Sequence, residues 1–176
     1  MKKILYSLMA IFAAVSLTSC EDFEPGGTAT EKLAGNWICT IYASDGSDWV
    51  EIYDGEFLTY NTADNDVDKI WIDDDGNFRE TKSKIDCDVN TLSFGKEGAE
   101  YENVYYEMTQ KVWGGKITFD GAIAPVSGAK CDKIEFYTAF SDDEDELTYY
   151  IVGYRRTGFT EDDGEIITDW TLPAVQ

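Results

Sequence analysis

Lys133-Ile134-Glu135-Phe136-Tyr137-Thr138-Ala139-Phe140 alternates between two kinds of side chain. Its first face carries Ile134, Phe136, Thr138 and Phe140. The segment 147–154 repeats the pattern, and one of its faces carries Leu147, Tyr149, Ile151 and Gly153. A period of two is typical of strands with one buried face. The charged segment 141–146 joins the two, so they are predicted to form an antiparallel pair.

The rest of the chain after Cys20 carries similar β-rich runs, separated by turn residues. We predict further strands at residues 37–43, 49–53, 56–60, 68–72, 78–85, 90–94, 103–112 and 116–120. Turn signals between them include Asp54-Gly55, the segment 73–77 and Gly114-Gly115. Roughly eight to ten short strands without amphipathic helices predict an all-β antiparallel sandwich or barrel. Closure into a barrel would remove exposed strand edges.

The first twenty residues predict export and lipidation. Lys2 and Lys3 precede an apolar run over residues 4–17, which has the length of a secretory signal and is short for a membrane-spanning helix. The run ends in Leu17-Thr18-Ser19-Cys20, which resembles a bacterial lipobox. We therefore expect a signal peptide over residues 1–19, a lipidated tether over 20–31 and a β-barrel domain over 32–176.

This address predicts an outer-membrane lipoprotein, held to the membrane by acyl chains on Cys20. Glu21, Asp22 and Glu24 follow the cysteine directly. Such an acidic cluster resembles the surface-export signal of lipoproteins in some Gram-negative bacteria, and it is equally typical of a solvated tether. Exposure at the cell surface and a periplasmic location therefore both stay open.

The composition excludes several kinds of chemistry. The 176 residues include no His, and 35 Asp and Glu against 14 Lys and Arg give a formal net charge of −21. Without His there is no Ser-His-Asp or Cys-His machinery and no His-liganded zinc. Because an acidic surface repels phosphates, we expect no nucleic-acid partner and no membrane contact except through the anchor. No cofactor is predicted.

Both ends of the predicted sheet carry features of one kind of barrel. Gly35-Asn36-Trp37 places a Gly-x-Trp at the start of the first strand, and Arg155 and Arg156 end the last. This combination resembles calycin (lipocalin-like) barrels, in which the Trp lies at the closed end and an Arg from the last strand packs over its ring. The resemblance implies that Trp37 and one of the two arginines close the barrel, with the strand register deciding which.

A closer resemblance covers most of the chain after Cys20. It is carried by three segments: Trp71-Ile72-Asp73-Asp74 with Gly76-Asn77-Phe78, Asp132-Lys133-Ile134-Glu135-Phe136-Tyr137, and Gly153-Tyr154-Arg155-Arg156-Thr157-Gly158-Phe159. This set resembles the small bacterial lipoproteins described as lipid-binding putative hydrolases. The resemblance implies a calycin-like barrel that binds a small hydrophobic or amphipathic ligand. It brings no catalytic residues with it.

Candidate ligand contacts come from the predicted inward faces. They are Ile134, Phe136, Tyr149 and Ile151, to which we add the aromatic ring of Trp71. The same side chains would be plain core if the barrel is filled. Trp and Tyr on outer faces stack equally well on sugar rings, so a surface lipoprotein that binds carbohydrate is the alternative.

No catalytic or metal-binding residues are predicted. A carboxylate-dependent hydrolase remains a third hypothesis, and it requires two acids with raised pKa values in a cleft. Asp64, Asp66 and Asp68 alternate like the start of a calcium loop, but Lys69 replaces the required Gly, so we expect a solvated loop. Disulfide pairing stays open among Cys39, Cys87 and Cys131.

Overall fold

The computed structural model describes residues 27–175. A 3₁₀ turn at Glu31–Leu33 precedes nine strands. These are β1 (Gly35–Ser44), β2 (Val50–Asn61), β3 (Lys69–Asp73), β4 (Lys82–Asp88), β5 (Ser93–Phe94), β6 (Tyr101–Glu102), β7 (Thr109–Ile123), β8 (Lys130–Phe140) and β9 (Thr148–Arg155). No helix in this range is long and apolar enough to cross a membrane.

The strands form one closed antiparallel sheet. Its order is β5-β4-β3-β2-β1-β9-β8-β7-β6, and β5 also pairs with β7. Phe94 of β5 lies opposite Cys87 of β4 and Gly115 of β7, so this short strand closes an eight-stranded barrel. The ninth strand, β6, pairs with the start of β7. The prediction of an all-β antiparallel barrel is confirmed.

Two predicted turns lie inside continuous strands instead. Asp54-Gly55 falls within β2, where both residues pair with β1. Gly114-Gly115 falls within β7, where the register to β8 shifts between Trp113 and Lys116. Gly114 has a φ of +62°, which a glycine adopts without strain, so the pair forms a bulge that bends the strand without reversing it.

Alternate side chains of the strands fill the barrel. Trp37 and Ile41 of β1 are fully buried on its inward face. Near the middle, the ring centroid of Phe136 lies 5.7 Å from that of Phe57 and 5.6 Å from that of Phe94. Because burial of one such side chain contributes about 1.5–3 kcal/mol, this packed interior is the main source of stability.

Trp37 and Arg155 close one end of the barrel. The guanidinium carbon of Arg155 lies 4.5 Å from the centroid of the Trp37 ring. Arg155 also donates hydrogen bonds to the carbonyl of Ala34 and, at 2.9 Å, to Asp132. The Trp37 Nε1–H donates to Thr59 Oγ1 at 2.8 Å. The Trp37 Nε1–H and the Nε and Nη1 groups of Arg155 therefore all have hydrogen-bond acceptors, while the apolar Trp37 ring fills this end of the barrel.

Gly35 and the register explain which arginine takes this position. A Cβ at residue 35 would lie 2.6 Å from Arg155 Nη1 and 2.8 Å from the Trp37 ring, so the Gly-x-Trp pattern reflects a close approach. Arg155 is the residue opposite Trp37 in the β1–β9 pairing. Arg156 lies on the other face and pairs with Asp163 at 2.7 Å.

Contacts with the barrel begin before residue 32, the predicted start of the barrel domain. The Ala29 N–H donates to Asn65 Oδ1 at 2.7 Å, and the side chain of Thr30 is buried. The end of the predicted tether is therefore already held against the barrel. The predicted signal peptide and Cys20 lie outside the described residues.

Residues 160–175 form a C-terminal strap on the outside of the barrel. Ile166 and Ile167 pack against the outer cluster that contains Tyr154, and Leu172 packs against the cluster that contains Tyr150. The strap therefore covers the apolar outer face of β9, which would otherwise meet water.

Asp162 fastens the start of this strap. Its Oδ1 accepts hydrogen bonds from the N–H groups of Val126 and Ser127 at 3.2 and 2.8 Å. Its Oδ2 accepts from the hydroxyls of Ser127 and Thr157 at 2.6 and 2.7 Å. Removal from water raises the pKa of this carboxyl, but the hydrogen bonds outweigh it and lower the pKa to about 2.

We expect Arg155→Lys to destabilise the protein by about 2 kcal/mol. Lysine lacks the planar guanidinium that stacks on Trp37 and donates hydrogen bonds to both Asp132 and Ala34. Arg156→Lys is the matched control, and its exposed ion pair predicts a change within about 0.5 kcal/mol. Urea denaturation of both variants measures the difference. Equal losses would show that the Trp37–Arg155 contact has no special weight.

The lowered pKa of Asp162 predicts acid sensitivity. Because its pKa in the folded protein lies below the ordinary value of 3.8, the ionised form stabilises the fold above about pH 4. That contribution is lost as the pH falls from about 4 to about 2. Asp162→Asn should lower the melting temperature near neutral pH and flatten its decline in acid, whereas the exposed Asp169→Asn should do neither. An unchanged acid profile for Asp162→Asn would contradict this assignment.

Candidate functional site

The other end of the barrel is covered by the connection between β3 and β4. We call residues 74–81 the lid. Asp74 shapes it, because its Oδ1 accepts the N–H groups of Gly76 and Thr81 at 3.0 and 2.9 Å, and its Oδ2 accepts the N–H of Arg79 at 2.7 Å. The Asp74 side chain is fully buried by these contacts. The acidic turn therefore serves the shape of the lid.

Phe78 is the part of the lid that reaches the barrel interior. Its ring centroid lies 5.5 Å from that of Tyr149, 6.1 Å from that of Phe140 and 5.9 Å from that of Tyr53. It packs against the interior cluster and stays half-buried. A single aromatic ring of the lid thus covers the top of the apolar lumen.

Arg79 holds the lid to the β8–β9 loop. Its Nη2 lies 2.7 Å from Asp142 Oδ1, and its guanidinium carbon lies 4.7 Å from the centroid of the Phe140 ring. The Tyr106 hydroxyl is within hydrogen-bond distance of both the Arg79 carbonyl, at 3.2 Å, and Asp142, at 3.3 Å. These contacts are exposed at the rim, so they are weak enough to be exchanged.

Tyr149 is the predicted ligand contact that lies at this end. Its hydroxyl donates to Asp143 Oδ2 at 2.6 Å. Burial, together with this hydrogen bond to a carboxylate, raises the pKa of Tyr149 to about 12, so the phenol stays protonated. Its ring faces Phe78, and its hydroxyl marks the boundary between the apolar interior and the polar rim.

A cavity of about 440 Å³ opens beside the lid. It is lined by Glu102, Asn103, Tyr106, Glu107, Met108, Thr109 and Ser141. Met108 is buried and belongs to the interior cluster, so the cavity adjoins the apolar lumen. Apolar contact in this cavity comes from Met108 and the ring of Tyr106, and the other lining side chains are polar or acidic.

The remaining predicted ligand contacts lie elsewhere. Ile134, Phe136 and Ile151 face inward and are fully buried in the packed middle of the barrel. Trp71, the fifth candidate ligand contact, faces outward and does not line the lumen. Because Ile70 and Ile72 point inward on β3, the residue between them must point outward.

Phe78, Arg79 and Met108 were missed by the sequence analysis. The run Asp73-Asp74-Asp75-Gly76-Asn77 predicts a tight turn, and a tight turn would place Phe78 in a strand. In the structure the connection extends to Thr81, and β4 begins at Lys82. The signal that could have identified the lid is Asp74, whose side chain can hold several N–H groups of a longer loop.

Among the described residues, the acids whose pKa is shifted are all shifted down, as at Asp86, where the hydrogen bond from the Lys69 ammonium lowers the pKa. A carboxylate hydrolase predicts raised values. The described residues contain no group of three or more Cys, Asp or Glu that could hold a metal ion. Asp66, from the alternating acids at residues 64–68, accepts a hydrogen bond from Thr62 at 2.9 Å.

The three described cysteines are free thiols. Cys39 is buried in the interior, where removal from water raises its pKa strongly. Burial likewise raises the pKa of Cys87 and Cys131 to about 11. None is therefore a thiolate at neutral pH.

The fold and the closed end define a calycin-like barrel: eight antiparallel strands in a closed ring, with Trp37 and Arg155 at one end. The chain belongs to the family described as "Lipid-binding putative hydrolase", whose sequence model matches residues 22–160. The strap from residue 161 onward lies outside that match. No curated protein matches the chain.

The ion pair between Arg79 and Asp142 is predicted to oppose opening of the lid. Arg79→Gln should raise amide hydrogen exchange within residues 76–81 by up to about fivefold, because an exposed ion pair contributes up to about 1 kcal/mol. Lys111→Gln, which removes a 3.7 Å ion pair with Glu100, is the matched control and should leave the lid unchanged. Unaltered exchange in Arg79→Gln would mean that Asp74 alone holds the lid.

Proposed function

We propose that this protein binds a small amphipathic, lipid-like ligand at the lidded end of its barrel. The observation that carries the proposal is Phe78, a half-buried ring that packs on Phe140 and Tyr149 beside the 440 Å³ cavity. A ligand chain that replaced this ring would meet the same apolar surface. The family to which the chain belongs supports a lipid-like ligand.

The packed interior limits how deep such a ligand can reach. Phe57, Phe94 and Phe136 already meet edge to face in the middle of the barrel. Native interiors are packed as densely as organic crystals, so this layer acts as a floor. Ile134 and Ile151 belong to that floor, whereas Tyr149 stands at the mouth and is the predicted contact best placed to touch a ligand.

The rim of the site favours a neutral or cationic headgroup. Exposed Glu102 and Glu107 line the cavity, and the charge of Arg79 is matched by Asp142 and Asp143. A carboxylate or phosphate headgroup would be repelled by this acidic rim. Hydroxyl groups such as that of Tyr106 would orient a polar, uncharged headgroup.

The proposal includes attachment to the outer membrane through acyl chains on Cys20. Its support is the sequence Leu17-Thr18-Ser19-Cys20 at the end of the apolar run. The described chain joins the barrel at the closed end, just before Gly35 and Trp37. The nine residues 20–28 span at most about 30 Å, so the closed end would lie nearer the membrane than the lid. The cluster Glu21, Asp22 and Glu24 is compatible with either side of that membrane.

Carbohydrate binding is the second candidate function, and Trp71 favours it. Its outward ring borders a cavity of about 370 Å³ that Lys84 and Asn103 also line. An aromatic face beside polar side chains suits a sugar ring. However, the ammonium groups of Lys82 and Lys84 already lie 5.4 and 5.5 Å from the Trp71 ring. A sugar would have to displace these cations.

Native mass spectrometry of residues 20–176 with Cys20→Ser tests the proposal. We expect a neutral acyl ligand that is released on denaturation. Phe78→Ala should bind a neutral monoacylglycerol roughly tenfold more tightly, because the ligand no longer has to displace the half-buried Phe78 ring. Phe159→Ala, at a ring that is 50% exposed near the closed end, should change nothing.

Two results would contradict the proposal. Apo masses that stay clean with monoacylglycerol in all variants would favour the carbohydrate alternative, which glycan arrays then test. Equal affinities for Phe78→Ala and the starting chain would show that the ligand does not occupy the position of that ring.

A further inference from the structure

Three polar side chains face the apolar lumen close to the lidded end. Ser83 of β4 lies opposite Ile72, and Gln110 of β7 lies opposite Phe140, so both share the inward face of their strands. Thr138 of β8 lies on the same inward face. All three are at least nine-tenths buried, with exposures of 0%, 1% and 0% for Ser83, Gln110 and Thr138.

The orientation of the Gln110 amide follows from its neighbour. The Thr138 hydroxyl donates its proton to the Lys111 carbonyl at 2.8 Å. Thr138 Oγ1 can therefore only accept a second bond, and it accepts one from Gln110 Nε2 at 3.0 Å. The other end of the amide, Oε1, is left as a buried acceptor with no partner among residues 27–175.

Ser83 supplies the complementary group. Its hydroxyl is also buried and has no partner within the described part of the chain. The segment 101–103 contacts both strands at this level: Tyr101 of β6 pairs with Gln110 of β7, and Asn103, which follows β6, accepts a hydrogen bond from the N–H of Lys82 of β4 at 2.8 Å. A buried acceptor and a buried hydroxyl thus flank one part of an otherwise apolar interior.

Native interiors rarely leave buried polar groups unpaired, so each such group needs an explanation. We propose that Gln110 and Ser83 form a polar subsite for one hydroxyl group on the otherwise apolar chain of the ligand. That hydroxyl would donate to Gln110 Oε1 and accept from the Ser83 hydroxyl. This subsite rests on the proposed function. It specifies in addition that the preferred ligand carries a hydroxyl group on its acyl chain.

The position of Gln110 places this hydroxyl near the headgroup. Met108 and Thr109, the two residues before it, line the cavity beside the lid. A chain that enters from this cavity passes Gln110 before it reaches the packed phenylalanines. The hydroxyl therefore belongs a few carbons from the headgroup, as in a 3-hydroxyacyl chain, and not at the far end of the chain.

Binding of three neutral esters tests the subsite: methyl hexadecanoate, methyl 3-hydroxyhexadecanoate and methyl 16-hydroxyhexadecanoate. We expect the 3-hydroxy ester to bind about tenfold more tightly than the other two, because one well-placed hydrogen bond to an unpaired buried group changes the affinity by about that factor. Gln110→Met and Ser83→Ala should each reduce this ratio toward one.

Thr40→Val is the matched control. Thr40 Oγ1 is likewise buried without a partner in the described chain, but it lies opposite Val152 on the outward face, so its loss should leave the tenfold ratio intact. Equal affinity of the starting chain for all three esters would overturn the subsite and leave the proposed function standing. Preference that persists in both Gln110→Met and Ser83→Ala would also overturn it. Absence of binding to every ester would overturn the proposed function itself.

Discussion

The stacking of Arg155 on Trp37 is the contact on which the architecture depends. It joins the first strand to the last, so it fixes the register at which the barrel closes. A slip of β9 by one residue would place Arg156 opposite Trp37 and turn the inward face of β9 outward. Gly35 permits the approach, and Asp132 and Ala34 hold the guanidinium in place.

The same register decides where the proposed ligand would bind. Because β1, β8 and β9 turn large apolar side chains inward, the middle of the lumen is occupied by protein. Space remains at the end opposite Trp37, where Phe78 is a removable side chain of a lid and Met108 connects the interior to a cavity. The same β1–β9 register thus closes one end of the barrel with Trp37 and leaves the other end covered only by the Phe78 ring of the lid.

Much of the fold could be predicted from the sequence, and the site could be predicted only in part. Period-two alternation identified β8 and β9 and the inward positions of Ile134, Phe136, Tyr149 and Ile151. The outward direction of Trp71 follows from the inward side chains of Ile70 and Ile72 on either side of it, which a composition argument does not use. The lid was missed since Asp74 organises its loop through hydrogen bonds to residues up to seven positions away. The unpaired Oε1 of Gln110 depends on a neighbour 28 residues distant, which no local pattern reveals.

The most direct test of the account is a crystal structure with a neutral ester whose acyl chain carries one bromine atom a few carbons from the headgroup. The account predicts an anomalous bromine peak between Phe140 and Tyr149, with Phe78 displaced from its present contacts. A peak at Trp71 on the outer face, or Phe78 still packed on Tyr149 in the loaded protein, would contradict it.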